Sequence, residues 1–71
     1  MTTTSFPVTG MTCAHCVASV TEEVGELPGV ASVAVDLVVG GASTVTVESD
    51  QPLDPAAVRA AVDEAGYVAE L

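Results

Sequence analysis

The sequence lacks lysine altogether and sets one arginine against ten acidic residues, for a formal net charge of -9 with histidine neutral. Proteins that bind nucleic acids or anionic membranes gain affinity mainly from lysine and arginine. We therefore expect neither nucleic acid nor an anionic membrane as a partner. The acids are spread along the chain, which is typical of a solubilising surface. The alternative is electrostatic steering toward a partner face that is basic or less acidic.

Aromatic residues and long apolar runs are also scarce in this 71-residue chain, which has one Phe, one Tyr and no Trp. Such a chain hides only about 60% of its unfolded surface on folding, and an enclosed ligand pocket needs about 300–1,000 Å³, so we expect function at the surface. No run approaches the ~18 residues of a membrane span, and residues 1–5 do not resemble a signal peptide. We predict one domain over residues 1–71, cytoplasmic and without direct membrane binding.

Hydrophobic periodicity predicts secondary structure in the order βαββαβ. Apolar residues that alternate with polar ones indicate strands, and stripes at i, i+3 and i+7 indicate helices. Gly25 is a helix stop, Gly40-Gly41 marks a hairpin turn, and Asp54-Pro55 begins a helix as its cap and first residue. The predicted elements are a strand at 4–9, a helix at 14–24, strands at 30–37 and 43–48, a helix from 55 that ends at Gly66, and a strand at 67–71.

This order indicates an α+β, ferredoxin-like βαββαβ fold, in which two helices lie on one face of a four-stranded antiparallel sheet. Right-handed crossovers would bring the loop at 11–16, the turn at 40–41 and the junction at 66–67 to the same end. Pro7 cannot donate to a strand ladder, so it predicts an edge position, a strand end or a bulge.

The two cysteines, Cys13 and Cys16, flank the single histidine, His15. In a reducing compartment a close cysteine pair is more often metal-binding or catalytic than a structural disulfide. Thiolates select soft ions such as Cu(I), zinc or iron–sulfur clusters, and a helix start favours the deprotonated thiols. Structural zinc sites and iron–sulfur clusters generally take four protein ligands. Two thiolates therefore suit a low-coordinate ion such as Cu(I), which an incoming sulfur could remove by ligand exchange.

The run Gly10-Met11-Thr12-Cys13-Ala14-His15-Cys16 is similar to the Gly-Met-x-Cys-x-x-Cys signature of heavy-metal-associated domains. These domains occur as copper chaperones and as N-terminal modules of copper-transporting P-type ATPases. Leu27-Pro28-Gly29-Val30 and Ala65-Gly66-Tyr67 also resemble the family, so the similarity covers nearly the whole chain. The first strand of the family is central in the sheet, and because Pro7 departs from that pattern we expect this strand to be bulged or short.

The resemblance implies that Cys13 and Cys16 bind the metal, that Met11 is an apolar anchor beneath the loop, and that Tyr67 lies beside the site. Zinc- and cadmium-exporting relatives often carry an acidic residue where this chain has Thr12, so Thr12 favours copper. His15 is either an exposed residue between the ligands, a modulator of the thiols, or a ligand when two copies share copper ions in a copper-bridged homodimer.

The function that the resemblance implies is a cytosolic Cu(I) chaperone, which is not an enzyme. It would deliver copper to a metal-binding domain of a copper-exporting P-type ATPase, or to the site where copper enters its membrane domain. Because the predicted fold spans residues 1–71, we expect a free chaperone rather than an ATPase module. Two alternatives stay open: a small dithiol oxidoreductase, since thioredoxin-like proteins also place Cys-x-x-Cys at a helix start, and a carrier of Hg(II) or Zn(II).

Overall fold

The computed structural model describes residues 1–12 and 14–71. Four strands form one antiparallel sheet in the order β2-β3-β1-β4, and the helices pack against it through a shared apolar core. The ferredoxin-like fold predicted from the sequence is confirmed. The elements are β1 Thr2–Thr9, α1 Ala14–Gly25, β2 Val30–Asp36, β3 Ser43–Ser49, α2 Pro55–Glu64 and β4 Val68–Ala69.

The core lies between the sheet and the two helices and consists mainly of valine. Alternate residues of the central strands point into it, and each helix contributes the stripe that its periodicity predicts. The only aromatic side chain among the fully buried residues described is Phe6, so the layer between sheet and helices is thin. The buried apolar residues are Phe6, Val8, Met11, Cys16, Val20, Val24, Val45, Val47, Val58, Ala61 and Val62.

Pro7 sits in an interior strand that continues for two residues beyond it, so the predicted edge position, strand end or bulge is wrong. The pairing of β1 with β3 runs from Thr2 to Val8 without a register shift. The Pro7 carbonyl faces β4 and accepts a hydrogen bond from Glu70 N–H at 2.8 Å. In an antiparallel pair the N–H and C=O of one residue face the same neighbour, so the N–H that proline lacks falls on the β4 side.

The same geometry explains why β4 is shorter than predicted. Its pairing register, Val8 with Ala69 and Thr9 with Val68, places Glu70 opposite Pro7. Two residues so placed would normally exchange two hydrogen bonds, but Pro7 can only accept. Regular pairing therefore stops at Ala69 instead of continuing to Leu71.

Helix α2 begins as its sequence predicts. Asp54 has extended backbone angles, its Oδ1 accepts a hydrogen bond from Ala56 N–H at 3.0 Å, and Pro55 is the first helical residue. The carboxylate thereby satisfies one of the N–H groups that a helix start leaves without an intrahelical acceptor. The helix ends at Glu64, two residues before Gly66, whose φ of 94° turns the chain toward β4.

Three connections meet at one end of the molecule, as predicted. The loop after β1 and the β2–β3 turn line one surface depression, and the junction before β4 touches the same loop at Gly10. Among the described helices, none is long and apolar enough to cross a bilayer. Among the described residues that the sequence singles out, Met11, Thr12 and Tyr67 lie at this end.

Candidate metal-binding site

The site begins where β1 ends, at Gly10. This glycine has a φ of 92°, a backbone conformation that residues with a Cβ rarely adopt, and it turns the chain back over the core. The next side chain, Met11, is 1% exposed and belongs to the core cluster. The loop is therefore held from below by a buried apolar side chain.

Cys16 lies in the first turn of α1, and its side chain is 7% exposed. Thr12 N–H donates a hydrogen bond to Cys16 Sγ at 3.5 Å, and Thr12 Oγ1 lies 3.8 Å from the same sulfur. Both contacts join the loop to the start of the helix. Either form of the sulfur can accept from the amide, and a thiolate accepts more strongly because it is charged.

The electrostatics at the start of α1 favour negative charge on sulfur. The first N–H groups of a helix have no intrahelical acceptor, and together with the helix dipole they favour an anion. Among its described residues, the first turn of α1 contains no acidic side chain that would compete for this position. The start of this helix therefore stabilises the thiolate form of a cysteine at position 16 relative to the thiol.

Three other predicted site residues are described by the structure, and one is not. Thr12 and His15 are exposed, and His15 lies within α1, where its carbonyl accepts a hydrogen bond from Ser19 Oγ at 3.1 Å. Tyr67 is half-buried, and its ring carbon Cδ1 is 3.5 Å from the position that a Cβ on Gly10 would take. Cys13, predicted to be the first ligand, falls outside the described residues.

The sequence did not single out the residues that border the loop on its other side. Thr9 and Ala42 line an open depression of about 420 Å³ together with Gly10, Met11, Thr12, Gly40 and Gly41. Apolar alternation could not identify them because Thr9 is the last residue of β1 and Ala42 precedes β3, so neither lies inside an alternating stretch. The predicted convergence of the loop and the hairpin turn was the available signal.

A sulfur at a helix start, above a buried methionine and on a βαββαβ scaffold, defines a class of small metal-carrier domains. Comparison with known families confirms this class: residues 5–68 match the heavy-metal-associated domain, and the chain belongs to that family. This confirms the resemblance inferred from the sequence. The chain is thus a metal-binding carrier domain and not an enzyme, which decides against the dithiol oxidoreductase.

The relatives include both free-standing proteins and modules of larger ones. The COP-associated protein of Helicobacter felis is 44% identical over 62 residues, which cover 87% of this chain and 89% of that protein. Copper-transporting ATPase 2 of Rhizobium meliloti is 42% identical over 64 residues, but these are 90% of this chain and only 7% of the ATPase. The solved structure of a CopZ metallochaperone superimposes with a TM-score of 0.83 at 27% identity, covering 97% of this chain and 100% of that one.

Proposed function

We propose that this chain is a cytoplasmic Cu(I) chaperone that binds one copper ion through Cys13 and Cys16 and transfers it to a copper-transporting P-type ATPase. The observation that carries the proposal is the position of Cys16 Sγ. It lies at a helix start and within hydrogen-bonding distance of Thr12, at the end where three connections meet. The spacing of three positions from Cys16 to Cys13 would bring a second thiolate to the same ion.

The scarcity of further ligands supports copper as the cargo. The sequence has two cysteines and one histidine in all. Structural zinc sites normally close with four such ligands. A soft ion held by two thiolates requires fewer, and the names of the H. felis and R. meliloti relatives also point to copper.

The exposure of the loop supports transfer by ligand exchange. Thr12, Ala14 and His15 are exposed, so a partner can approach Cys16 from the solvent side. Cys16 itself is largely covered by the protein on its inner side. An incoming thiolate would form a third bond to copper while one of the original copper–sulfur bonds breaks, so the ion never passes through bulk water.

The surrounding residues have separate roles in this proposal. Met11 holds the loop against the core as an apolar anchor, and Thr12 fixes the Cys16 sulfur by hydrogen bonding. Tyr67 covers the loop at Gly10 and limits access from the β4 side. His15 lies exposed between the ligands, where it is available to modulate the thiols.

Copper transfer can be measured directly. The chain is loaded with one equivalent of Cu(I) under anaerobic conditions and mixed with the segment of R. meliloti copper-transporting ATPase 2 that aligns with it. The two proteins are then separated and their copper is counted. We expect copper on both proteins after mixing, because similar sites hold the ion with similar affinity. Copper that remains entirely on the loaded chain, or that appears first on a small-molecule chelator added as a trap, would refute transfer by direct exchange.

A further inference from the structure

The end of the molecule that carries the metal loop is uncharged, although the chain as a whole is strongly acidic. The segments that form this end contain no Asp, Glu, Lys or Arg, and Arg59 and Asp63 border it only on the side of Tyr67 and Val68. At this end the uncharged segments are residues 8–16, 37–43 and 65–69.

Of the exposed valines at this end, two are adjacent on the turn between β2 and β3, and a third, Val68, lies in β4. Val38 is 43% exposed and Val39 is 65% exposed. We refer to residues 38–41 as the valine turn. Hairpin turns usually carry polar residues, and hydrophobic residues exposed beside one another on a small domain often mark an interaction surface.

The backbone holds the valine turn in one conformation. Gly41 N–H donates to the Val38 carbonyl at 3.4 Å, and Gly40 has a φ of 80°, as the third residue of a type II turn requires. The buried Ser43 hydroxyl accepts a hydrogen bond from Val38 N–H at 2.9 Å. The turn therefore presents its two side chains without a large entropic cost of ordering on contact.

The valine turn adjoins the proposed metal site. Gly40 and Gly41 line the same depression as Met11 and Thr12. A protein that approaches the cysteines from the exposed side of the loop would therefore meet the valine turn as well.

We propose that the valine turn is a docking surface for the protein that receives the metal, and that this recipient presents an uncharged, apolar patch beside its own metal ligands. The inference rests on the proposed function. Burying a charged side chain against this surface would remove it from water without supplying an opposite charge, which is costly. A second copy of this chain is a poor occupant because two molecules of charge -9 repel each other.

The test compares copper transfer by the parent chain with transfer by Val38→Ser/Val39→Ser, using the aligned R. meliloti ATPase segment as recipient. We expect the transfer rate to fall about tenfold, as lost apolar contact weakens the transfer complex, while Cu(I) affinity in a chelator competition stays unchanged. Leu71→Ser is the matched control, since Leu71 is 46% exposed but lies outside the three uncharged segments. That control should transfer copper like the parent.

The possible outcomes separate the docking proposal from the proposed function. Equal transfer rates for the parent and the double variant would overturn docking at the valine turn and leave the chaperone function standing. A loss of copper affinity in the double variant would also overturn it, because the turn would then act on the metal site. No transfer by the parent would refute the proposed function, and docking with it. If the serine double variant does not fold, Val38→Thr/Val39→Thr replaces it, because threonine keeps the shape of valine. Its transfer rate and copper affinity are interpreted in the same way.

A separate variant tests whether the recipient patch is uncharged. Val39→Lys places a positive charge in the middle of the proposed surface. If the recipient patch is apolar, the buried lysine lacks a partner and transfer slows. Faster transfer by Val39→Lys would indicate an acidic recipient face and would overturn this part of the proposal.

Discussion

Replacing Met11 distinguishes a packing role from metal ligation. Its side chain is 1% exposed, and truncating a buried methionine to alanine typically costs about 2–5 kcal/mol through lost burial and the cavity left behind. A 71-residue domain has a free energy of unfolding of roughly 4–10 kcal/mol. Met11→Ala should therefore lower the melting temperature by about 8–40 °C. Met11→Leu keeps the volume and should cost less than about 1.5 kcal/mol.

The assay pairs urea unfolding of both variants with a Cu(I) competition against a chelator. We expect Met11→Leu to bind copper like the parent, because leucine fills the same space but offers no thioether. Met11→Ala should bind normally as long as it is folded, with a loop that is less well ordered. If Met11→Leu folds normally but loses copper affinity tenfold or more, Met11 is a ligand and the anchor interpretation is refuted.

Three further variants test the cap, the acidic surface and the loop. Asp54→Ala should cost about 0.5–2 kcal/mol in urea unfolding, and Asp54→Asn, which can still cap, should cost much less; equal costs would exclude capping. The pKa of Glu23 is raised above 4.5. The largest cause is a hydrogen bond with Glu26, followed by desolvation and by repulsion from nearby glutamates. The ionised form is thus disfavoured in the folded state, and the stability linked to Glu23 is complete below about pH 4.5 and lost as pH rises. Glu23→Gln should therefore raise the melting temperature at pH 7 but not at pH 4, with Glu48→Gln as control; a gain at both would contradict the repulsion. Thr12→Val should weaken Cu(I) binding about threefold to tenfold, since it removes only the hydroxyl contact with Cys16; an unchanged affinity would show that the hydroxyl is dispensable.

The order of elements could be predicted because each carries a local signal. Val20 and Val24 repeat with helical spacing, Val45 and Val47 alternate, and Asp54 precedes a proline, and all these signals depend on neighbours within a few residues. The buried positions followed from the same patterns. Local signals also located the candidate site, since the spacing of two cysteines at a helix start is itself short-range.

The features that sequence reasoning missed depend on pairing between distant segments. Pro7 is tolerated in a central strand because its missing N–H faces the short β4, and that depends on a register that the sequence alone does not define. The hydrogen bond from Val38 N–H to the buried Ser43 hydroxyl depends on how the hairpin closes between β2 and β3. Likewise, the contact of Thr12 with Cys16 Sγ depends on how the loop folds back onto α1.

The proposed pairing of Cys13 and Cys16 around one Cu(I) can be measured by a chelator competition on single-serine variants. The parent chain, Cys13→Ser, Cys16→Ser and the control Ala14→Ser are each titrated with Cu(I) in the presence of a coloured Cu(I) chelator. Ala14→Ser adds the same hydroxyl to the loop without removing a sulfur. We predict one tightly bound Cu(I) for the parent and for Ala14→Ser, and loss of tight binding in both cysteine variants. Retention of parent-like affinity by either cysteine variant would contradict the account.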